Sequence, residues 1–309
     1  MIITVTLNPA VDKTADLTQF EHGGLNRLTN IINDAGGKGI NVSKTIKALG
    51  GNSIATGFLG GSAGILIENA LNELGIEHDF IKVSGNTRTN LKVVEQNGFV
   101  TELNEPGPEI SFENMTALEE KLLFYAGEDT IFVFAGSIPA SVDKNAYCGL
   151  IRSVKEKGSK VFLDADGELF VKGLKAQPTI IKPNKAEVEE HFGMETSATE
   201  EELIFMGKKL LEEGPELVAV SRGAMGALFF TKDAVYSCPG LKVNAHSTVG
   251  AGDAMVAALT YGIDSKLTLL DCIRLGMATS AGAVTTKGTK PPTRELVDEL
   301  ARQVEIHTI

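Results

Sequence analysis

The chain has 309 residues, of which 43% are hydrophobic and 22% charged, with a formal net charge of −11. That length and balance describe a globular protein able to bury a large core. The acidic balance argues against nucleic acid as the main partner, and any anionic substrate would need a local positive patch.

Met1-Ile2-Ile3-Thr4-Val5-Thr6-Leu7 has no basic n-region and turns polar at once, so it does not read as a signal peptide. No apolar run reaches the ~20 residues of a spanning helix. No membrane partner is therefore expected, and the expected compartment is the cytoplasm. Ile2–Leu7 predicts a buried first strand that ends at Asn8-Pro9. Val11–Phe20 and Leu28–Asn33 predict strands of a small, partly exposed sheet. Gly36-Gly37-Lys38-Gly39-Ile40-Asn41 opens a helix over Val42–Leu49. Ser53–Leu59 reads as strand, Gly60-Gly61-Ser62 as turn, and Ile65–Leu74 as helix.

Thr87–Glu95 and Phe99–Asn104 alternate on either side of Gln96-Asn97-Gly98, a hairpin signal, and would complete the small sheet. Phe112–Tyr125 predicts a helix and Thr130–Phe134 a buried strand running into Ala135-Gly136-Ser137. Strands and helices then alternate. Val142–Lys157 is helix, Lys160–Leu163 and Pro178–Ile181 are strands, and Lys185–Phe192 and Glu200–Glu213 are helices. Leu217–Ser221 is strand, and Gly226–Thr231 pairs with Ala234–Ser237. Helices over Gly250–Tyr261 and Leu267–Thr285 end the core, and Thr293–Val304 closes the chain. This alternation predicts an α/β fold with a mostly parallel sheet covered on both faces. Cys148, Cys238 and Cys272 are far apart, an odd and sparse count that predicts no disulfide framework. The five histidines form no zinc-type cluster.

The most informative stretch is Ser247-Thr248-Val249-Gly250-Ala251-Gly252-Asp253, which runs into the apolar Ala254–Leu259. It reads as a glycine loop entering a buried helix, whose first amides carry a partial positive charge. An anion is favoured there, so the carboxylate of Asp253 is out of place unless it takes a proton during reaction. This suggests phosphoryl transfer, with Asp253 as base and the amides of Gly250, Ala251 and Gly252 as an anion cradle. The plain alternative is a glycine turn with an acidic first-turn residue. No Walker-type loop and no Gly-x-Gly-x-x-Gly accompany it. Gly60-Gly61-Ser62-Ala63-Gly64 fits a hydrolase elbow, with His22-Gly23-Gly24 as a candidate oxyanion loop. A turn followed by a helix-capping Ser62 explains the same residues. Arg27, Lys38 and Arg88 could converge into the positive patch a sugar phosphate needs, although each alone is an ordinary surface charge. Lys182-Pro183-Asn184-Lys185-Ala186-Glu187 reads equally as a helix start capped by Asn184, and Ser221–Gly226 as a tight connection. His246 beside Ser247 reads as structural.

Taken together, these motifs resemble the PfkB, or ribokinase-like, sugar kinase family nearly end to end. Gly36 through Ser43 is similar to its first signature, and Ser247 through Leu259 to its second. Thr6-Leu7-Asn8-Pro9 with Asp12, Leu25-Asn26-Arg27, and Lys182-Pro183-Asn184 with Glu187 follow in the family's order. The resemblance implies one doubly wound α/β domain over 1–309, with a β lid built from about 11–34 and 86–105 that pairs in a homodimer. It implies ATP-dependent, magnesium-assisted phosphorylation of a sugar hydroxyl, with Asp253 as base. Asp12, Gly36, Gly37, Asn41 and Ser137 would touch the sugar, and Arg27, Lys38 and Arg88 its phosphate. Lys182, Asn184, Ser221, Gly223, Gly226, Thr248, Gly250 and Gly252 would serve the nucleotide, and Glu187 the magnesium. A potassium ion would take carbonyls of Ser247, Val249, Ala283, Thr286 and Gly288. Within the family, Asn86–Asn90 and Thr101–Pro108 resemble 1-phosphofructokinases most, with tagatose-6-phosphate kinases close behind. An inactive sugar-phosphate-binding relative and a kinase of nucleosides or unphosphorylated sugars remain as other classes.

Overall fold

In a computed structural model describing residues 1–309, the strands form two sheets. The elements run β1 (Ile2–Thr6), β2 (Ala10–Leu17), β3 (Thr29–Gly36), α1 (Lys38–Ala48), β4 (Ile54–Leu59), α2 (Gly61–Glu73), β5 (Glu77–His78), β6 (Ile81–Lys82), β7 (Arg88–Glu95) and β8 (Val100–Asn104). Then come α3 (Phe112–Tyr125), β9 (Ile131–Ala135), α4 (Ala146–Lys155), β10 (Lys160–Asp164), α5 (Gly167–Leu174), β11 (Ile180–Ile181), α6 (Lys185–His191), α7 (Glu200–Glu212) and β12 (Leu217–Ser221). The chain ends with β13 (Ala227–Phe230), β14 (Val235–Cys238), α8 (Ala251–Asp264), α9 (Leu269–Ala283), α10 (Arg294–Ala301) and β15 (His307–Thr308).

The large sheet has the order β15-β14-β13-β12-β11-β10-β9-β1-β4-β5, with β6 also on β4. It is parallel from β5 to β12 and antiparallel beyond. Strand alternation splits the core between its faces. Ile3, Val5, Phe132 and Phe134 point to one side, where they meet α3 to α7. Ile2, Val133 and Ala135 point to the other, against α1, α8, α9 and α10. Burial on both faces is why these strands read as continuous apolar runs.

The second sheet, β3-β2-β7-β8, contains the segments predicted to form the small sheet. Its turn at Gln96–Gly98 is the expected hairpin, and β2 runs parallel to β7. Ile31, Ile32, Phe99, Val100 and Leu103 of this sheet stay exposed.

Several boundaries depart from the sequence reading. Helix α1 starts at Lys38 rather than Val42, because Gly37 at φ +108° serves as its cap and Gly39 packs on Thr6 inside the first turn. Helix α4 starts at Ala146, not Val142. Helix α5 lies outside the sequence reading although Leu169, Phe170 and Leu174 share one helical face, whereas the two-residue strands β5, β6 and β15 are too short to show a period. The cysteines are buried and unbonded.

Candidate active site

The N-termini of α1 and α8 meet above the C-terminal ends of β1, β9 and β10, the usual place for a ligand in an open α/β sheet. Gly250 caps α8 in the left-handed region, φ +83°, which a side chain would strain. Asp253 is buried one turn in, and Asn41 Nδ2 donates to its Oδ2 at 2.8 Å. Burial first, then the charge of Asp164, pushes its pKa up to about 7, against the Asn41 hydrogen bond, Lys38 and Lys182. A carboxyl held near neutrality can accept a proton from a hydroxyl at physiological pH.

Lys182, buried after β11, lies beside Gly252, where an added Cβ would stand 3.3 Å from Nζ. Lys182 and Lys38 each place Nζ 3.5 Å from Asp164 Oδ1. Burial works against the charge on Lys38, but Asp164, Asp253, Asp166 and Glu187 outweigh it and raise its pKa. The Asp164 carboxyl is held low: burial opposes ionisation, and the two lysines overcome it. So α8 amides and two ammonium groups surround the space before Asp253, a site suited to a polyanion.

On the other side, Asp12 accepts from Asn90 Nδ2 at 3.1 Å and lies over Gly36, where any Cβ would collide with its carboxylate. Arg88, the first residue of β7, donates to the Asn8 carbonyl at 3.1 Å and to Ser137 Oγ at 3.3 Å. Eight buried side-chain polar atoms lack a partner, and five of them belong to Asn8, Asn41, Arg88, Asn90 and Asp164. Such atoms are rare in folded proteins, so their gathering here marks a pocket built for a polar ligand.

The expected clamp of Arg27, Lys38 and Arg88 is not assembled within one chain. Lys38 turns to Asp164, and Arg88 to Ser137. Arg27 is exposed in the loop beyond Thr29, which pairs with Asp16 at the opposite end of β2 from Ala10, the partner of Arg88. The alternation that fixed these strands gave no distance between their ends.

Asn184 and Glu187 form a capping box on α6: Asn184 N–H donates to Glu187 Oε2 at 2.8 Å, and Glu187 N–H to Asn184 Oδ1 at 2.9 Å. Glu187 Oε1 has no protein partner, and burial raises the carboxyl's pKa. Ser221 donates its N–H to the Pro183 carbonyl, beside the short turn Gly223–Met225. Gly226 is fixed by packing, since its Cβ would strike the Cys238 carbonyl. Thr248 is exposed, and its carbonyl accepts from Ala251 N–H. The loops carrying the potassium candidates are tied through Val284, whose carbonyl accepts from the N–H groups of His246 and Ser247. The carbonyls of Ser247, Val249, Thr286 and Gly288 accept no protein hydrogen bond, whereas that of Ala283 already takes two from Thr286. Four of the five thus keep carbonyl oxygens without protein hydrogen bonds, and Ala283 does not.

Two readings fall away. Ser62 does not cap α2: Gly60 holds that position, Ser62 is exposed in the first turn, and no histidine bonds it. The hydrolase elbow therefore has no base. Asp164, Asn90 and Lys44 were missed. An acidic residue at the end of the apolar run Lys160–Leu163 was the available signal for Asp164. Lys44 is buried and donates to the Ala35 carbonyl, and it sits in α1 with no motif to mark it.

The sequence pattern of the pfkB family carbohydrate kinases matches residues 5–296. A 1-phosphofructokinase of Bacillus subtilis (strain 168) is 40% identical over 306 residues, 99% of each chain. Another, of Borreliella burgdorferi, is 40% identical over 286 residues, 92% of this chain and 91% of its own. Among solved structures, phosphofructokinase-2 from Escherichia coli in complex with potassium is similar at a TM-score of 0.92 and 27% identity, over 98% of both chains. The architecture is accordingly the ribokinase-like one that the motifs implied. With family pattern, full-length relatives and fold in agreement, the chain belongs to the pfkB family of carbohydrate kinases.

Proposed function

We propose that the chain transfers the γ-phosphoryl group of ATP to the 6-hydroxyl of fructose 1-phosphate, giving fructose 1,6-bisphosphate and ADP. The observation that carries this is Asp253, a buried carboxyl of near-neutral pKa lodged among anion-binding amides and two lysines. Full-length relatives named 1-phosphofructokinase support the acceptor. Asp253 takes the hydroxyl proton as that oxygen bonds to phosphorus, and the bridging P–O bond to ADP breaks. Asn41 holds the carboxylate, and its free Oδ1 together with Asp12 orients the sugar hydroxyls. Arg88 and Ser137 grip the phosphate already present. Lys38, Lys182 and the amides of Gly250, Ala251 and Gly252 stabilise the group in transfer. The nucleotide lies along Asn184, Ser221, Gly223 and Thr248. The proposed setting is the cytoplasm. In an ADP-release assay over a panel of sugar phosphates, we expect fructose 1-phosphate to lead in kcat/KM. A lead by tagatose 6-phosphate would reassign the acceptor, and no turnover at all would make the chain a binding protein.

Magnesium would neutralise charge on the nucleotide phosphates. The unpartnered Glu187 Oε1 fits it, and the carbonyls of Ser247, Val249, Thr286 and Gly288 fit potassium. Glu187→Gln keeps the capping box, because glutamine fills the same role. It should therefore raise the magnesium concentration needed for half-maximal rate while sugar-phosphate KM stays put. Coincident magnesium titrations of variant and parent would leave Glu187 only its capping role.

Exposed apolar side chains along β3 and β8, the outer strands of the small sheet, support a homodimer through the lid. Such a pairing could supply Arg27 to the partner's acceptor phosphate. Phe99→Asp with Leu103→Asp should shift the sedimentation coefficient to that of a monomer. An unchanged dimer would place the interface elsewhere.

A further inference from the structure

Asp164 has no part in the scheme above, yet it stands at its centre. It is the last residue of β10, and Lys182 follows the last residue of β11. Those strands pair in parallel, Leu163 against Ile181, so register alone sets Asp164 beside Lys182. Lys38 arrives independently as the first residue of α1. Both ammonium groups lie 3.5 Å from one oxygen, Oδ1, and so cannot be further apart than twice that distance. Two unshielded cations would not hold that spacing in a buried site. The backbone of Asp164 is fixed as well, since its main-chain carbonyl accepts from Gly136 N–H.

Its other oxygen, Oδ2, is buried and accepts nothing. A buried ion pair that served only the fold would have both oxygens satisfied, because an orphaned one costs stability. The triad also leaves one positive charge in excess beside the first turn of α8, an arrangement that suits an incoming anion better than an empty core.

We propose that Asp164 is a positioning residue for phosphoryl transfer: its Oδ1 holds the Lys38 and Lys182 ammonium groups side by side, so that both face the group in transfer. The proposal rests on the phosphoryl-transfer reading with Asp253 as base. It has a second consequence. Asp253 is faced by Asn41, Lys38 and Lys44 from α1, by Lys182 after β11 and by Asp164 from β10. Asp164 itself also faces Tyr147 of α4 and Glu187 of α6. Removing the Asp164 charge should therefore lower the proton affinity of Asp253 as well as loosen the lysines.

The test is Asp164→Asn, alone and combined with Lys182→Met, with thermal melting as the control for folding. We expect a folded variant whose kcat falls at least ~10-fold, the size of effect seen when groups acting through one another are separated. Sugar-phosphate KM should change by less. The acidic limb of the kcat/KM profile should move to lower pH, as loss of the negative charge facing Asp253 requires, and the fall in kcat without a matching rise in KM is the change a merely structural role would not cause. In the Lys182→Met background, Asp164→Asn should cost far less than it does alone. Fully additive losses, or an unmoved limb with parental kcat, would overturn the proposal. If Asp164→Asn does not fold, the Lys38→Met and Lys182→Met cycle decides: coupled losses support a shared anchor, and additive ones refute it. Asp253→Asn run in parallel separates the two readings. Full activity there defeats the base assignment, whereas an inactive Asp253→Asn beside additive Asp164 losses defeats only the anchor.

Discussion

Asp253→Asn should cut turnover by at least ~10²-fold, since removing a positioned base typically costs ~10²–10⁴. Sugar-phosphate binding should be largely retained. The substitution preserves shape, and its amide oxygen can still accept from Asn41 Nδ2, so the α1–α8 junction survives. The parent enzyme supplies the matching pH signature. Burial, then Asp164, raises the Asp253 pKa to about 7. Below that value the group is protonated and cannot accept the hydroxyl proton, so kcat/KM should fall as pH drops through neutrality. Above it the base is free and the limb should level off. The residual rate of Asp253→Asn should lack this limb. Steady-state rates from pH 5.5 to 9 measure both effects, and near-normal turnover in a folded variant would remove Asp253 from the mechanism.

Arg88→Ala should weaken fructose 1-phosphate use by roughly 10–150-fold in kcat/KM, from the ~1.5–3 kcal/mol of a charged hydrogen bond. Arg88 is half-buried, its Nε has no partner, and it reaches Ser137 Oγ at the mouth of the pocket. Burial lowers its pKa and Asp12 offsets part of that, as suits a cation held ready for an anion. Use of unphosphorylated fructose, however poor, should change little. The two acceptors must be compared, because Arg88 also donates to the Asn8 carbonyl and joins the two sheets. Equal losses for both acceptors would show that it supports the fold or the nucleotide, and the phosphate grip would fail.

Local chemistry made much of this protein readable in advance. The α/β alternation, the hairpin at Gln96–Gly98 and the helix Phe112–Tyr125 follow from periods of two and 3.6, which need no partner segment to be seen. Asp253 was legible because a carboxylate conflicts with the helix start it occupies. Asn184 was legible twice over, in a family motif and as a helix cap, and the structure adds Glu187 to complete a capping box. Charge could not be placed this way. The −11 balance demanded a positive patch, but which cations form it depends on strand order. Lys38 is drawn to Asp164 across 126 positions of sequence. Arg27, only 11 positions before Lys38, ends in the loop at the far end of the small sheet.

The sequence by itself thus determined the layers and the two signature loops, and it singled out Asp253 as the candidate base, because each is set by residues within about ten positions of one another. Only the tertiary structure decided that Asp164 Oδ1 lies 3.5 Å from both Lys38 and Lys182, that Asn90 donates to Asp12, and that Asn41 donates to Asp253. Those contacts join residues that are neighbours only after parallel strands have paired and α1 has packed on α8. A parallel crossover separates sequence from space: it returns the chain to the same edge of the sheet after a helix of variable length, so spacing along the chain carries no record of which ends will meet.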